Sequence, residues 1–194
     1  MIVFIDGEQL SGKSTLIDVL SKEYGFISNR FPFDLHVNHF KLNEKDLLNG
    51  FQIGKDLGIL FALNAISPKN DFVFDRGPFS TIYYSLLDSR MTNEQILSFA
   101  DEMSNYDFTY VFVRGINQHK SLSNRTKEDG FDNLKEMEIS EGEGVCLLLE
   151  ELANKYKLKY LTFYNDFSLS PEQNASNLVR LLKEIENEHT RSRS

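Results

Sequence analysis

Ile2-Val3-Phe4-Ile5-Asp6-Gly7-Glu8-Gln9-Leu10-Ser11-Gly12-Lys13-Ser14-Thr15 is the stretch that decides the fold. Its first four residues are apolar, β-branched or aromatic, which reads as a short strand buried on both faces of a parallel sheet. Gly7 to Ser14 then satisfies G-x-x-x-x-G-K-[ST], and Leu16, Ile17, Val19 and Leu20 follow at helical spacing. Strand, glycine-rich turn and helix is the setting this motif needs; a chance match in a chain of this length is roughly a one-in-a-hundred event or rarer. Glycines let backbone N–H groups curl around phosphate oxygens, and the helix points its positive end at them. Gly7, Ser11, Gly12, Lys13, Ser14 and Thr15 are therefore the candidate phosphate-binding residues. Lys13 would bridge the β- and γ-phosphates of ATP, and the Ser14 hydroxyl would ligate Mg²⁺.

Working outward, similar apolar runs occur at residues 72–74, 110–113 and 160–163, with a weaker one at 25–28. Five short strands alternating with helices predict an α/β, three-layer fold with a five-stranded parallel sheet flanked by helices. Two helix starts are legible: Ser170-Pro171-Glu172-Gln173 and Thr92-Asn93-Glu94-Gln95 each pair a hydroxyl N-cap with an amide three residues on. Residues 44–66 have a helical apolar pattern interrupted by Gly50, Gly54 and Gly58. That pattern reads either as a broken helix or as a face open to close approach.

At 194 residues the chain has the size of a single domain over 1–194. A charged, weakly apolar segment at about 115–144 reads as a lid, and 189–194 as a polar, fraying tail. Twenty-nine acidic against 21 basic residues give a net charge of -8, which disfavours a nucleic-acid polymer as partner. The lone Cys146 excludes a disulfide framework and a four-thiolate zinc site. His36 and His39 have no thiolate near them in sequence. No apolar run is long enough to cross a bilayer and no signal-peptide pattern stands at the start, so a cytoplasmic protein is expected.

Beyond the loop, Phe72-Val73-Phe74-Asp75-Arg76-Gly77-Pro78-Phe79-Ser80 puts an acid and an arginine just past a strand's carboxyl end, where open α/β sheets bind ligands. Asp75 could hold Mg²⁺ through water, and Arg76 could grip a phosphate. Asn29-Arg30-Phe31-Pro32 ends the second strand, and Leu60-Phe61-Ala62-Leu63-Asn64 precedes the third. Taken together, this order of motifs resembles thymidylate kinase and the related P-loop deoxynucleoside monophosphate kinases.

The resemblance implies a P-loop NTPase fold, a phosphotransferase using ATP and Mg²⁺, and a homodimer. It places Arg30 on the acceptor monophosphate with Phe31 beside it, Phe61 against the acceptor base, and Asn64 next to the base site. Arg76 would lie between donor and acceptor phosphates, and Tyr84 would crowd the sugar 2′ position. Arg125 would be a lid arginine assisted by Lys120 and Lys127. Catalysis is thus expected from Lys13, Arg76, Asp75 and Arg125, with Ser14 and Asp75 as metal-side residues. Departures are equally specific. Gln9 stands where relatives carry an acid in contact with the acceptor sugar's 3′-hydroxyl, a contact its uncharged amide can still make by hydrogen bonding; Leu10 removes a loop arginine, Ala65 replaces a base-reading arginine, and Gly77 and Gly130 replace larger side chains. Phosphate-handling residues remain while base-reading ones have changed. The leading expectation is phosphorylation of a deoxynucleoside monophosphate, thymidylate or a modified pyrimidine first. The alternatives are a deoxynucleoside 5′-kinase, with Asp34 as its nearest candidate base, and a catalytically weak nucleotide-binding module.

Overall fold

The computed structural model describes residues 1–7, 11–30, 45–66, 69–87, 91–117 and 147–193. Five strands form one all-parallel sheet: β1 (Ile2–Gly7), β2 (Ile27–Arg30), β3 (Phe72–Asp75), β4 (Thr109–Ile116) and β5 (Lys159–Asp166), in the order β2-β3-β1-β4-β5. The helices are α1 (Lys13–Tyr24), α2 (Lys45–Ile66), α3 (Pro78–Leu87), α4 (Asn93–Met103), α5 over 147–156, and α6 (Pro171–Arg193). This is the α/β architecture that the strand runs predict. None of these helices is long and apolar enough to cross a membrane.

Alternation along the central strands sorts their side chains by size. Phe4, Phe74, Tyr110 and Phe112 face one layer with α2, α3, α4 and α5, while Val3, Ile5, Val73, Val111 and Val113 face α1 and α6. Aromatic bulk fills the first layer, where Phe4 stacks on Phe74 with ring centroids 4.9 Å apart and Phe79 meets Tyr110 at 4.3 Å. Slimmer β-branched residues let α1 and α6 lie against the other face.

Both expected caps form. Thr92 and Gln95 exchange backbone-to-side-chain hydrogen bonds of 2.8 and 3.2 Å, and Ser170 and Gln173 do the same at 2.9 and 3.2 Å. The second strand lies slightly later than its expected run, because Gly25 serves as the left-handed C-cap of α1. Strands β4 and β5 extend past their apolar cores through Arg114 and Asn165, so 115 and 116 belong to β4, and 118–146, most of the segment expected to be a lid, lie outside the described residues. Helix α6 continues through Arg193, past the point where a frayed tail was expected.

Helix α2 is continuous across its glycines. Ile53, Leu57, Leu60 and Leu63 pack toward the core, whereas Gly54, Gly58, Phe61, Ala62 and Ala65 lie on the exposed side. A Cβ added at Gly54 or Gly58 would meet nothing within 4 Å, so no described residue makes a close approach there.

Candidate phosphoryl-transfer site

The carboxyl edge of the sheet gathers the predicted phosphate residues. β1 ends at Gly7, and α1 starts at Lys13 after Gly12, whose φ of 83° is left-handed. That conformation favours glycine, and a Cβ on Gly12 would sit 2.3 Å from the Asn165 side-chain nitrogen and so displace that amide. Lys13 Nζ donates to the Gly7 carbonyl at 2.8 Å and so ties the two ends of the loop together. Ser14 and Thr15 follow in the first turn of α1. The N-terminal N–H groups of that helix give the loop a positive end.

Beside the loop, β3 pairs in register with β1 (Ile5 with Asp75) and with β2 (Arg30 with Asp75). Lys13, Asp75, Arg76 and the backbone of Arg30 therefore belong to one edge. The Arg76 N–H donates to the Ile5 carbonyl at 2.8 Å, and its φ of 71° puts a non-glycine residue in the left-handed region. The glycine at 77 has a packing cause: a Cβ there would lie 2.2 Å from Cδ1 of Phe4. Pro78 then occupies the first position of α3.

Beneath the loop lies a buried polar group that local sequence reading missed. Asp6, 2% exposed, accepts hydrogen bonds from Ser80 Oγ, from Tyr110 at 3.0 Å and from the Gly7 N–H at 2.8 Å. Asp56 on α2, fully buried, accepts from Thr81 at 2.7 Å and is ion-paired with Lys55 at 2.8 Å. Burial pushes the Asp56 carboxyl above the ordinary carboxylate range, opposed by Lys55 and Thr81 and reinforced by the Asp6 charge. At the far side of the loop, Asn165 donates to the Ser11 carbonyl at 2.8 Å. The neighbouring Asp166 is held below the usual range, chiefly by the hydrogen bond from Asn117 and then by those from Ser168.

The structure does not bring Asn64 to this group. Its side chain donates to the Leu60 carbonyl at 2.9 Å and accepts from the Asp107 N–H at 2.9 Å, at the amino edge where β4 begins. The reason is chain direction. β3 is entered from its amino end only a few residues after α2 stops at Ile66, so the last turns of α2 must lie at that edge. Phe61, a turn earlier, is 65% exposed on the solvent side of α2. Tyr84 lies on α3. Gln9, Leu10, Phe31, Asp34, His36, His39, Lys120, Arg125, Lys127, Gly130 and Cys146 lie outside the described residues.

For Mg²⁺ the donor chemistry fits: a Ser14 hydroxyl and an Asp75 carboxylate are hard oxygen ligands. Among the described residues no group of three or more His, Cys, Asp or Glu could hold a metal alone. An ion carried in with substrate phosphates and touched by one or two side chains suits such a site.

No family model and no curated protein matches this chain. Solved structures do. The YorR protein from Bacillus subtilis in complex with phosphorylated GDP aligns with a TM-score of 0.54 at 15% identity, over 96% of this chain and 98% of that one. Deoxyadenosine kinase from M. mycoides, with products dCMP and a flexible dCDP bound, gives 0.52 at 19% identity over 95% and 100%. The same enzyme with bound dATP gives 0.51 at 19% identity over 94% and 100%. At such identities the likeness is one of fold.

Proposed function

We propose that the protein transfers the γ-phosphoryl group of ATP to a deoxynucleoside monophosphate, thymidylate or a modified pyrimidine first. The observation that carries this reading is the Asp75-Arg76 turn, held in a left-handed conformation on the strand next to the loop strand. Strained backbone of this kind persists where its surroundings hold it, and it clusters at active sites. Lys13 and Arg76 would neutralise the transferring group, while the loop fixes its line of approach; phosphoryl transfer needs little more from a protein. Bound with ATP between Ser14 and Asp75, Mg²⁺ would supply further charge neutralisation on the β- and γ-oxygens. An acceptor phosphate already carries a nucleophilic oxygen, so no strong base is needed. Arg30, closing β2 beside Asp75, is the cation for that phosphate, and Arg125 would close over the donor. The family resemblance adds a cytoplasmic homodimer.

A second reading, a deoxynucleoside 5′-kinase, is favoured by one observation: Asn64 and Phe61, two of the residues that a thymidylate-type base site uses, lie away from the loop. A panel of deoxynucleoside monophosphates, their ribo counterparts and free deoxynucleosides, assayed with ATP and Mg²⁺, separates the two. Diphosphate formation that Lys13→Ala lowers by about two orders of magnitude or more is expected. Undiminished turnover in Lys13→Ala would rule the proposal out.

A further inference from the structure

We infer that Ser80 is a positioning residue for phosphoryl transfer: through Asp6 it fixes the peptide that follows Arg76 to the strand carrying the phosphate loop. This role rests on the reading of Arg76 as the cation at the transferring group.

Both peptides that flank Arg76 are tied to β1. In the one before it, the Arg76 N–H donates to the Ile5 carbonyl at 2.8 Å. In the one after it, the Gly77 N–H donates to Ser80 Oγ at 3.3 Å, and Ser80 Oγ donates in turn to Asp6 Oδ2. Ile5 and Asp6 are consecutive residues of β1. One strand therefore holds both sides of a residue whose φ of 71° is uncommon for any side chain but hydrogen. Asp6 Oδ1 meanwhile accepts the N–H of Gly7, where the loop begins, at 2.8 Å. A single carboxylate thus links the arginine turn and the loop to each other.

The direction of each bond is fixed. A backbone N–H can only donate, so Ser80 Oγ accepts from Gly77, and its one proton is left for Asp6. Asp6 and Ser80 are both buried, which leaves solvent little access to take a lost partner's place. Tyr110 donates to the same Oδ2 at 3.0 Å, but from β4, on the other side of β1 from the turn.

A plainer role for Ser80 is that of a helix cap. Its N–H donates to the Gly77 carbonyl at 2.9 Å, and its side chain accepts from the Gly77 N–H in return, which is half of a capping box for α3. A cap sets stability. A positioning residue sets the rate, because a displacement on the order of 1 Å at a reacting centre can cost about a hundredfold.

Steady-state kinetics with ATP, Mg²⁺ and the fastest acceptor of the nucleotide panel, beside thermal melts, separate the two. Ser80→Ala should lower kcat about tenfold or more and leave both KM values within about threefold, since the misdirected guanidinium fails chiefly in the transition state. Tyr110→Phe takes a hydrogen bond from the same carboxylate oxygen. It should lower Tm comparably and leave kcat within about threefold. Should Ser80→Ala not fold, Ser80→Cys keeps the size with a weak donor and acceptor, and the same fall in kcat is expected. A Ser80 variant with kcat within threefold of normal, or an equal fall in Tyr110→Phe, overturns the positioning role and leaves the phosphoryl-transfer reading standing. No transfer by the unaltered chain to any acceptor overturns both.

Discussion

Replacing Arg76 by glycine and, separately, by alanine isolates what its backbone costs from what its side chain does. Both variants lose the guanidinium and every contact it makes. Only alanine keeps a Cβ in the left-handed region that φ of 71° imposes. A Cβ there costs about 1–2 kcal/mol, from which the greater freedom of glycine in the unfolded chain removes about 0.4–1 kcal/mol. The glycine variant should therefore be more stable than the alanine variant by about 0.5–1 kcal/mol. For a chain of this size that is a difference of roughly 1–4 °C in Tm, measured by calorimetry at one pH and scan rate. Phosphoryl transfer should fall in both by about two to three orders of magnitude, and equally, since the lost group acts on charge that develops in the transition state. An alanine variant melting at or above the glycine variant refutes the claim of stored strain. Activity retained within threefold in either would remove Arg76 from the transfer step.

Two further outcomes follow from the buried polar contacts. Asn64→Ala removes the link between the end of α2 and the start of β4, so it should cost about 1–2 kcal/mol of stability in a denaturant melt and leave the acceptor KM within twofold; a tenfold rise in that KM would return Asn64 to the base site. Asp56 has a folded pKa above its unfolded one, so the native state binds its proton more tightly. Its contribution to stability must therefore fall as pH rises from the ordinary carboxylate range through the raised value. Asp56→Asn lacks that titration, so the gap between wild type and variant should shift in favour of the variant over that interval, as Tm values across the range would reveal; parallel profiles would contradict it.

How far the sequence could be read depended on whether a feature was local. The loop, the Asp75-Arg76 turn and both capping boxes are encoded in consecutive residues, and each appears where its pattern stands. Strands β4 and β5 outrun their apolar cores because the carboxyl edge carries polar residues such as Arg114 and Asn165, which break the hydrophobic signal. Helix α2 runs through its glycines with Gly54 and Gly58 on its exposed side, where no neighbour needs a side chain, and a window average cannot see which side they fall on. Asn64 illustrates a different limit. The order of motifs placed it beside a base, yet the few residues between it and Phe72 already require the opposite edge of the sheet. Asp56 left no sequence trace, since a Lys-Asp pair on a helix reads as a solvated face until Thr81 is brought against it. Asn165 was equally silent, being defined by its distance from Ser11 in space.

The central position of β1 governs when the cradle can exist during folding. Its two neighbours, β3 and β4, come from residues Phe72–Asp75 and Thr109–Ile116, and its own sequence neighbour β2 lies at the sheet's far margin. A chain emerging from its amino end has made the whole glycine-rich loop long before either flanking strand exists to hold it. Such non-local pairing is slow, because chain closure must precede any reward from contact. On the proposed reading, nucleotide affinity should therefore wait until β3 and β4 have been synthesised and paired, although the loop that would confer it is made before either.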